Sequence, residues 1–515
     1  MRGRFISFYT QTSAFHSVSR MSSKSLSLTG PEALFRQCLL DCRQEMQHVP
    51  GMNDLVLRFT GGWVRDKLLG VPSHDIDVAL SSMTGWQFGQ AMQDFMKVHG
   101  PNYEKKAAEE GFKAQLKDIH KIAANPEKSK HLETITTRMF GIDVDFVNLR
   151  KEVYLEDSRN PQMEFGTAEE DALRRDATVN ALFYNLDTQA VEDYTGQGLD
   201  DMASKIIRTP LEPYQTFKDD PLRILRLIRF ACRLDYQIEE SAKKSMADKT
   251  IHEALKLKIS RERVGVEIDK IMRGPNPFTG MVYINQFDLF DTVFDNPQGT
   301  AEPPDSSIAL ASYQTLQRIL DEKSTLYQLL KPHNDPKLSW LLAAYTPWTT
   351  SSMLAYEASR EGIKATNTES KVLKDAIDFR PSILDTMRLV EQGTATRSDV
   401  GMTLRKCKDA WRSHILFSML YDVATSDQDH GFATITDRYQ NFLLHIQERS
   451  LEDAPKLAPI LNGNQIMTAL GNPKAGPWLT RAIEVVVRWQ FDASDPTKEQ
   501  AAEMIASKRA EFGLD

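Results

Sequence analysis

The stretch FTGGWVRDKLLGVPSHDIDVAL, Phe59 to Leu80, decides the fold of this chain. Two glycines precede Val64-Arg65-Asp66, a short helix follows, and Asp75 and Asp77 then flank Ile76 ahead of Val78, Ala79 and Leu80. In a strand, residues i and i+2 share a face. The two carboxylates therefore stand roughly 7 Å apart on one side, while Ile76 and Val78 pack on the other. Like charges that close repel, and each resists burial without a partner. A divalent cation bridging them removes the conflict.

A bare Asp-x-Asp is weak evidence, because it also occurs in glycosyltransferases and on surface strands. The preceding GGxVRD changes the reading. Glycines Gly61 and Gly62 let backbone N–H groups approach a phosphate, and a helix start adds a favourable dipole. Arg65 adds a planar fork for phosphate oxygens.

Outward from this stretch, the periodicity predicts a helix over Glu32 to Gln47, a strand over Leu55 to Phe59 and a helix over Gly85 to Val98. The polar, lysine-rich run from about Pro101 to Lys130 reads as a mobile loop. Leu132 to Arg138 and Ile142 to Leu149 read as a hairpin around Phe140-Gly141. Its second strand, GIDVDFVNLR, offers Asp143 and Asp145, either of which reaches the Asp75/Asp77 face from a neighbouring strand. Three carboxylates from two strands suit two Mg²⁺ ions. After Pro221 helical periodicity dominates to the C-terminus, and Pro303-Pro304-Asp305 reads as a linker between helical parts.

In KDDPLRILRLIRFACR, Asp220, Arg223, Arg226, Arg229 and Arg233 recur along one helical stripe. Leu222, Leu225, Leu227, Ile228 and Phe230 cover most of the remaining circumference. The stripe is either a solvated, salt-bridged face or a buried one that needs anions, and the apolar surroundings favour the second. Triphosphate and RNA backbone are such anions. Asp220 and Arg223 set a carboxylate, which accepts from an amine, beside a guanidinium, which donates to an acceptor. Lys258, Arg261, Arg263, Lys270 and Arg273 form a further basic cluster, divided between RNA contact and internal ion pairs.

GGWVRD followed by HDIDVAL resembles the nucleotidyltransferase signature of the polymerase-β superfamily. EEDALRRDATVNALFYN, Glu169 to Asn185, is similar to the RRD motif of the class II tRNA nucleotidyltransferases, the CCA-adding enzymes. KDDPLRILRLIRFACR resembles their templating helix, and KISRERVGVEI, Lys258 to Ile268, the next neck element. The motifs stand in family order from Phe59 to about Arg273, and the loop and DFVNLR resemble the fungal branch. Beyond them the chain resembles the family only in being helical, with a weak glycine-containing segment at ILNGNQIMTALGNPKAGPW.

The resemblance implies an α+β protein: an N-terminal polymerase-β-type nucleotidyltransferase head, with a mixed sheet and helices, followed by an all-α neck, body and tail. The expected boundaries are 1–30 for a leader, 31–201 for the head, 202–275 for the neck and 276–515 for body and tail. It implies Mg²⁺ on Asp75 and Asp77. Asp145 is the third catalytic carboxylate, preferred over Asp143 because DFVNLR lines up with the family's acidic position. Nucleotide binding falls to Gly61, Gly62, Arg65, Asp66, Arg175, Asp176, Asp220, Arg223, Arg226 and Arg229. Of the adjacent Arg174 and Arg175, only one is expected on nucleotide, and Asp176 is otherwise read as the cap of an apolar helix starting near Val179. The templating pair maps onto Asp220 and Arg223. Asp219 departs from the glutamate of many relatives, which puts its orienting role in doubt. The implied substrates are CTP, ATP and the acceptor-stem and T-arm side of tRNA, and a monomer is favoured. Shortening Tyr103 to Lys128 is expected to spare CC addition and lose A addition. Two competing readings are a poly(A) polymerase of the same superfamily and an inactive relative that only binds RNA.

The chain has 515 residues, enough for roughly two to four domains. Its hydrophobic content of 41% and charged content of 26% are ordinary for a globular protein. No apolar run is long enough to cross a bilayer. The net charge of −8 argues against a general nucleic-acid coat but permits a local basic groove. Four cysteines are too few for a disulfide scaffold; Cys38 and Cys42 read as simple thiols. The first thirty residues contain Arg2, Arg4, Arg20 and Lys24, with no acid before Glu32 and many Ser and Thr. That is the composition of a mitochondrial transit peptide, or of a disordered tail. Met21 offers an internal start and hence a cytoplasmic or nuclear form.

Overall fold

The computed structural model describes residues 20–22, 26–73, 75–113, 120–122, 134–153, 162–300, 302, 304–426, 431–471 and 476–514. The chain divides into two compact units, Met1–Ile251 and His252–Asp515. The neck expected over 202–275 is shared between them.

The first unit is built on a mixed sheet. Strand β1 (Arg20–Ser22) is followed by α1 (Gly30–Glu45), β2 (Leu57–Thr60), α2 (Gly62–Leu68), β3 (Asp75–Leu80) and α3 (Gly85–Glu109). Next come β4 (His120–Ile122), β5 (Thr134–Met139), β6 (Ile142–Asn148), β7 (Arg150–Val153), β8 (Gln162–Phe165) and α4 (Ala168–Leu173). Strands β9 (Leu182–Asn185) and β10 (Val191–Asp193) complete the main sheet, whose order is β1-β10-β9-β2-β3-β6-β5-β4. The leader expected over 1–30 falls largely outside the described residues; within it, Arg20–Ser22 pairs with β10.

Strand β3 pairs in parallel with β6, which requires a crossover, and α3 supplies it. Alternation then sorts the side chains. Ile76, Val78, Leu80, Val144 and Phe146 are buried, with Phe88 of α3 meeting Phe146 edge-on at 5.1 Å. Gly85 lets α3 start against β6, because a Cβ there would lie 2.4 Å from the Phe146 carbonyl oxygen. The aspartates are left on the opposite face. The β5–β6 hairpin turns at Phe140 and Gly141, with φ of 53° and 80°, the pair of positive values that a two-residue turn requires.

Two expectations are corrected. The run from Pro101 is not loop at its start: α3 continues through Pro101 to Glu109. Tyr103 and Ala107, one turn apart, are buried, and the Tyr103 hydroxyl donates to Asp41 of α1 at 2.5 Å. Tertiary packing thus overrides the polar composition, and a loop deletion beginning at Tyr103 would remove part of a packed helix. The segment from Val179 is not an apolar helix. A 3₁₀ turn, Thr178–Asn180, leads into β9, which lies between β10 and β2 with all four residues buried. The run Leu-Phe-Tyr suits a strand buried on both faces.

After β10 the chain runs through α5 (Gly198–Ser204), β11 (Ile206–Ile207), α6 (Pro213–Asp219), α7 (Arg223–Leu234), β12 (Gln237–Ile238), α8 (Glu240–Met246) and α9 (Lys249–Lys258). The second unit is helical from α10 (Arg261–Met272) to α23 (Lys498–Ser507). Its final part packs Ile466, Trp478, Val486, Ile505 and Phe512 into one cluster, so the glycine-containing segment near Gly463 serves as a helix in a core. No helix among the described residues is long and apolar enough to cross a membrane.

Candidate active site

One row of residues crosses the sheet. Phe183 of β9 pairs with Thr60 of β2, Thr60 with Asp77 of β3, Asp77 with Asp145 of β6, and Asp145 with Thr136 of β5. Laterally paired residues share a face, so Asp77 and Asp145 are side by side, with Asp75 two residues away and more exposed. Burial pushes the Asp77 carboxyl up to about 6. Arg175 opposes this, Asp145 and Asp75 add to it by like charge, and Arg150 opposes it again. The Thr136 hydroxyl donates to Asp145 Oδ1 at 2.7 Å and holds that carboxylate. Asp143 shares the face but is exposed and lies 3.5 Å from Arg138. Asp145 therefore stands nearer the crowded centre.

Arg175 lies over the other end of the row. Its guanidinium donates to Thr60 Oγ1 at 2.7 Å, to the Asn180 carbonyl at 2.8 Å and to Asp171, and sits 5.1 Å from the Phe183 ring centre. Arg174 also holds Asp171, at 2.5 Å, but turns to the Arg150 carbonyl. Of these two adjacent arginines, Arg175 is the one beside the acidic row. Asp171 is buried; burial would raise its carboxyl, but the two arginines outweigh that and hold it below its usual range. Its spacing of three and four from the arginines was the available sequence signal.

Gly61 adjoins both groups. Its φ is 75°, and a Cβ there would lie 3.1 Å from an Arg175 nitrogen and 3.4 Å from Asp77 Oδ2. Gly62 is the first residue of α2 rather than part of the turn. Arg65 has other surroundings than the triphosphate expected for it. It is 2% exposed and its fork is occupied by Asp66, at 2.7 and 2.8 Å, and by the Asn180 side chain. Asp66 in turn accepts from Arg233 of α7 at 2.9 Å.

Asp176 is not a helix cap. Arg226 donates to it at 2.6 Å and the Asn180 amide at 3.4 Å. Burial pushes its carboxyl up, but Arg226, Arg223 and Asn180 outweigh it and bring it down to about 2. Two of the anions awaited by the α7 stripe are thus internal, Asp176 for Arg226 and Asp66 for Arg233. Arg229 lies 4.3 Å from the Phe230 ring centre. Ile224, Leu225, Leu227 and Ile228 are buried, as the apolar surroundings implied. Asp220 sits in the break between α6 and α7, where its carboxylate accepts from Leu222 N at 3.2 Å and its carbonyl from Arg223 N at 3.0 Å. Asp220 and Arg223 are both half-buried and are joined through backbone at the start of α7. Asp219 accepts from Gln215 at 2.6 Å.

In the second unit Arg261 is buried and donates to three backbone carbonyls, of Gly362, Thr292 and Val293. It ties down helix ends rather than presenting charge. Arg273 pairs with Asp269 at 3.2 Å, and Asp269 with Lys337 at 2.7 Å.

The model of the poly A polymerase head domain matches residues 57–208. Over 494 residues the chain is 38% identical to the mitochondrial CCA tRNA nucleotidyltransferase of Candida glabrata, covering 89% of this chain and 91% of that one. It belongs to the CCA tRNA nucleotidyltransferases. It is also 37% identical to nucleotidyltransferase lcsQ of Purpureocillium lilacinum, over 96% of this chain and 94% of that one. A solved complex of a CCA-adding enzyme with CTP has the same fold, with a TM-score of 0.61 at 18% identity, covering 94% of this chain and 95% of that one.

The donor chemistry of a CCA tRNA nucleotidyltransferase's acidic row fits a hard divalent cation. Carboxylate oxygens are its preferred ligands, and Asp77 and Asp145 stand side by side on adjacent strands with Asp75 on the same face. Among the described residues no three His, Cys, Asp or Glu side chains close on one ion by themselves. Mg²⁺ does not require that, since it keeps waters and takes substrate phosphate oxygens as ligands.

Proposed function

We propose that this protein adds C, C and A stepwise to the 3′ end of tRNA, using CTP and ATP without a nucleic-acid template and releasing pyrophosphate. The observation that carries the reading is the row Thr60–Asp77–Asp145–Thr136, with Gly61 and Arg175 beside it, on a chain of this family. Asp75 and Asp77 would hold Mg²⁺, with Asp145 as the third carboxylate. The cation would supply charge neutralisation at the triphosphate and acidify the attacking hydroxyl. The tRNA 3′ oxygen forms a bond to the α-phosphate as the bond to pyrophosphate breaks. Asp145, held by Thr136, is placed either to ligate the cation or to take the hydroxyl proton. Gly61 and Gly62 leave room for phosphate beside the start of α2, and Arg175 offers positive charge next to Asp77. Arg65, Asp66, Asp176 and Arg226 act behind this surface as its frame.

Asp220 and Arg223 read the base edge. C and A present an amine to the carboxylate, whereas U and G present an oxygen and leave buried polar groups unpaired, a difference of several kcal/mol at most. The tRNA is held through backbone and shape along its acceptor stem and T-arm side, which suits a local groove on an acidic protein. The mitochondrial names of relatives and the acid-free leader support a mitochondrial location. A second, cytoplasmic or nuclear form would start at Met21, and N-terminal sequencing of protein from separated organelles tests this.

The site assignment is tested by comparing Asp145→Ala with Asp143→Ala in extension of a tRNA lacking CCA. Loss of about 10³-fold or more in the first, with less than about 10-fold in the second, supports it. The reverse ranking overturns it.

A further inference from the structure

Asn180 contacts three charged residues, Arg65, Arg175 and Asp176. It is 7% exposed. Its Oδ1 accepts from Arg65 and its Nδ2 donates to Asp176 at 3.4 Å. Its carbonyl accepts from Arg175 at 2.8 Å. Beyond Arg65 the chain of contacts continues to Asp66 and Arg233. Beyond Asp176 it continues to Arg226. Helix α7 is thus held to the head at two points, Arg226 and Arg233, and both carboxylates that hold it trace back to one amide. Arg65 also touches α7 directly, lying 6.0 Å from the Phe230 ring centre.

The amide is suited to this place by its two-sidedness. It is both acceptor and donor, so it serves a guanidinium on one side and a carboxylate on the other. An aspartate would keep the acceptor for Arg65, lose the donor and repel Asp176. An alanine would leave a buried Arg65 nitrogen and Asp176 without this partner. Neither the hydrophobic core nor the 3₁₀ turn needs the amide, since the turn's own bond, Asn180 N to Ala177 O at 3.0 Å, is made by backbone.

We propose that Asn180 is a positioning residue for nucleotide choice. It fixes the register of α7, and with it Asp220 and Arg223, against the phosphate-binding side of the head. The inference rests on the reading of Asp220 and Arg223 given above. Loosening the amide lets the base-reading pair shift relative to a nucleotide still anchored by its phosphates. The wrong base then meets fewer unpaired polar groups.

The test uses the full chain with Asn180→Asp, Asn180→Ala and Phe88→Leu. The last loosens the α3–β6 core without touching the network. Thermal unfolding and kcat/KM for CTP and for UTP on a tRNA lacking CCA are measured for each. The expected result is a fall of about 10-fold or more in the CTP-over-UTP preference for both Asn180 variants, at unchanged preference in Phe88→Leu. If Asn180→Ala does not fold, the isosteric Asn180→Asp decides alone. Preference unchanged in the Asn180 variants, or lowered equally in Phe88→Leu, overturns the inference. A wild-type protein that itself does not prefer CTP overturns the underlying reading instead.

Discussion

Asp77 and Asp145 stand directly opposite each other in the parallel pair β3–β6. Burial and this like charge lift the Asp77 carboxyl to about 6, against an ordinary value near 4. A carboxyl raised in the folded state lowers stability as pH climbs from about 4 to 6, and the loss is complete above 6. Asp77→Asn should therefore stabilise the metal-free protein at pH 7 by about 1–2 kcal/mol while abolishing nucleotide addition. Mg²⁺ should raise the melting temperature of the wild type and leave the variant unmoved. Differential scanning fluorimetry with and without chelator reads both; a destabilised Asp77→Asn would show that the carboxylates are structural.

Gly61→Ala should cripple activity more than stability. At φ 75° and ψ −137° the backbone lies where residues with a Cβ are strained, at a cost of about 1–3 kcal/mol. The new methyl would meet Arg175 and Asp77 at 3.1 and 3.4 Å, so both must give. We expect at least about 10-fold lower kcat/KM for CTP in protein that still folds. Activity within twofold of wild type would mean that nothing passes over this turn.

His414 makes the second unit acid-sensitive. It is buried in α19 (Trp411–Ala424), 5.8 Å from the Phe379 ring, and neither ring nitrogen has a hydrogen-bond partner. Burial lowers its imidazole to about 4 from the usual 6.5. The folded state thus binds fewer protons than the unfolded one. Its stability is full above about pH 6.5 and falls as pH drops toward 4, by up to about 3 kcal/mol. His414→Phe should flatten the fall in melting temperature between pH 6.5 and 4.5. An unchanged slope would assign the acid sensitivity elsewhere.

Arg261→Lys should lower stability by about 2–4 kcal/mol, because a compact ammonium cannot reach three carbonyls placed around Nε, Nη1 and Nη2 of a planar guanidinium and leaves buried acceptors unmet. The affinity of the folded fraction for tRNA should change little. A variant of normal stability with weakened tRNA binding would return Arg261 to the RNA-contact role that the basic run KISRERVGVEI suggested.

The acidic face was legible because a strand has period two and Asp75-Ile76-Asp77 leaves no ambiguity about sides. The partner strand was legible for the same reason, through Asp143 and Asp145. Arg65 misled because a motif names a residue but not its direction: the fork that suits a phosphate suits Asp66 and Asn180 equally. The α7 stripe was expected to be buried and to meet triphosphate and RNA; Arg223, Arg226 and Arg229 are half-buried, Arg233 is exposed, and two of the anions come from Asp66 in α2 and Asp176 after α4, distant in sequence. The turn at Asn180 was hidden by Val179-Asn180-Ala181-Leu182, whose apolar run fits helix or buried strand until its neighbours β2 and β10 are known. Pro101 signalled a break that α3 absorbs, since Tyr103 and Ala107 pack behind it.

The most direct measurement is the sequence of the 3′ ends made from a tRNA transcript ending at the discriminator base, with purified protein, Mg²⁺ and CTP alone, ATP alone, both, or UTP and GTP. The account predicts CC with CTP, CCA with CTP and ATP together, and no efficient addition from UTP and GTP. A long A tail from ATP alone would make the protein a poly(A) polymerase, and no extension at all would leave an RNA-binding relative; either result contradicts the account.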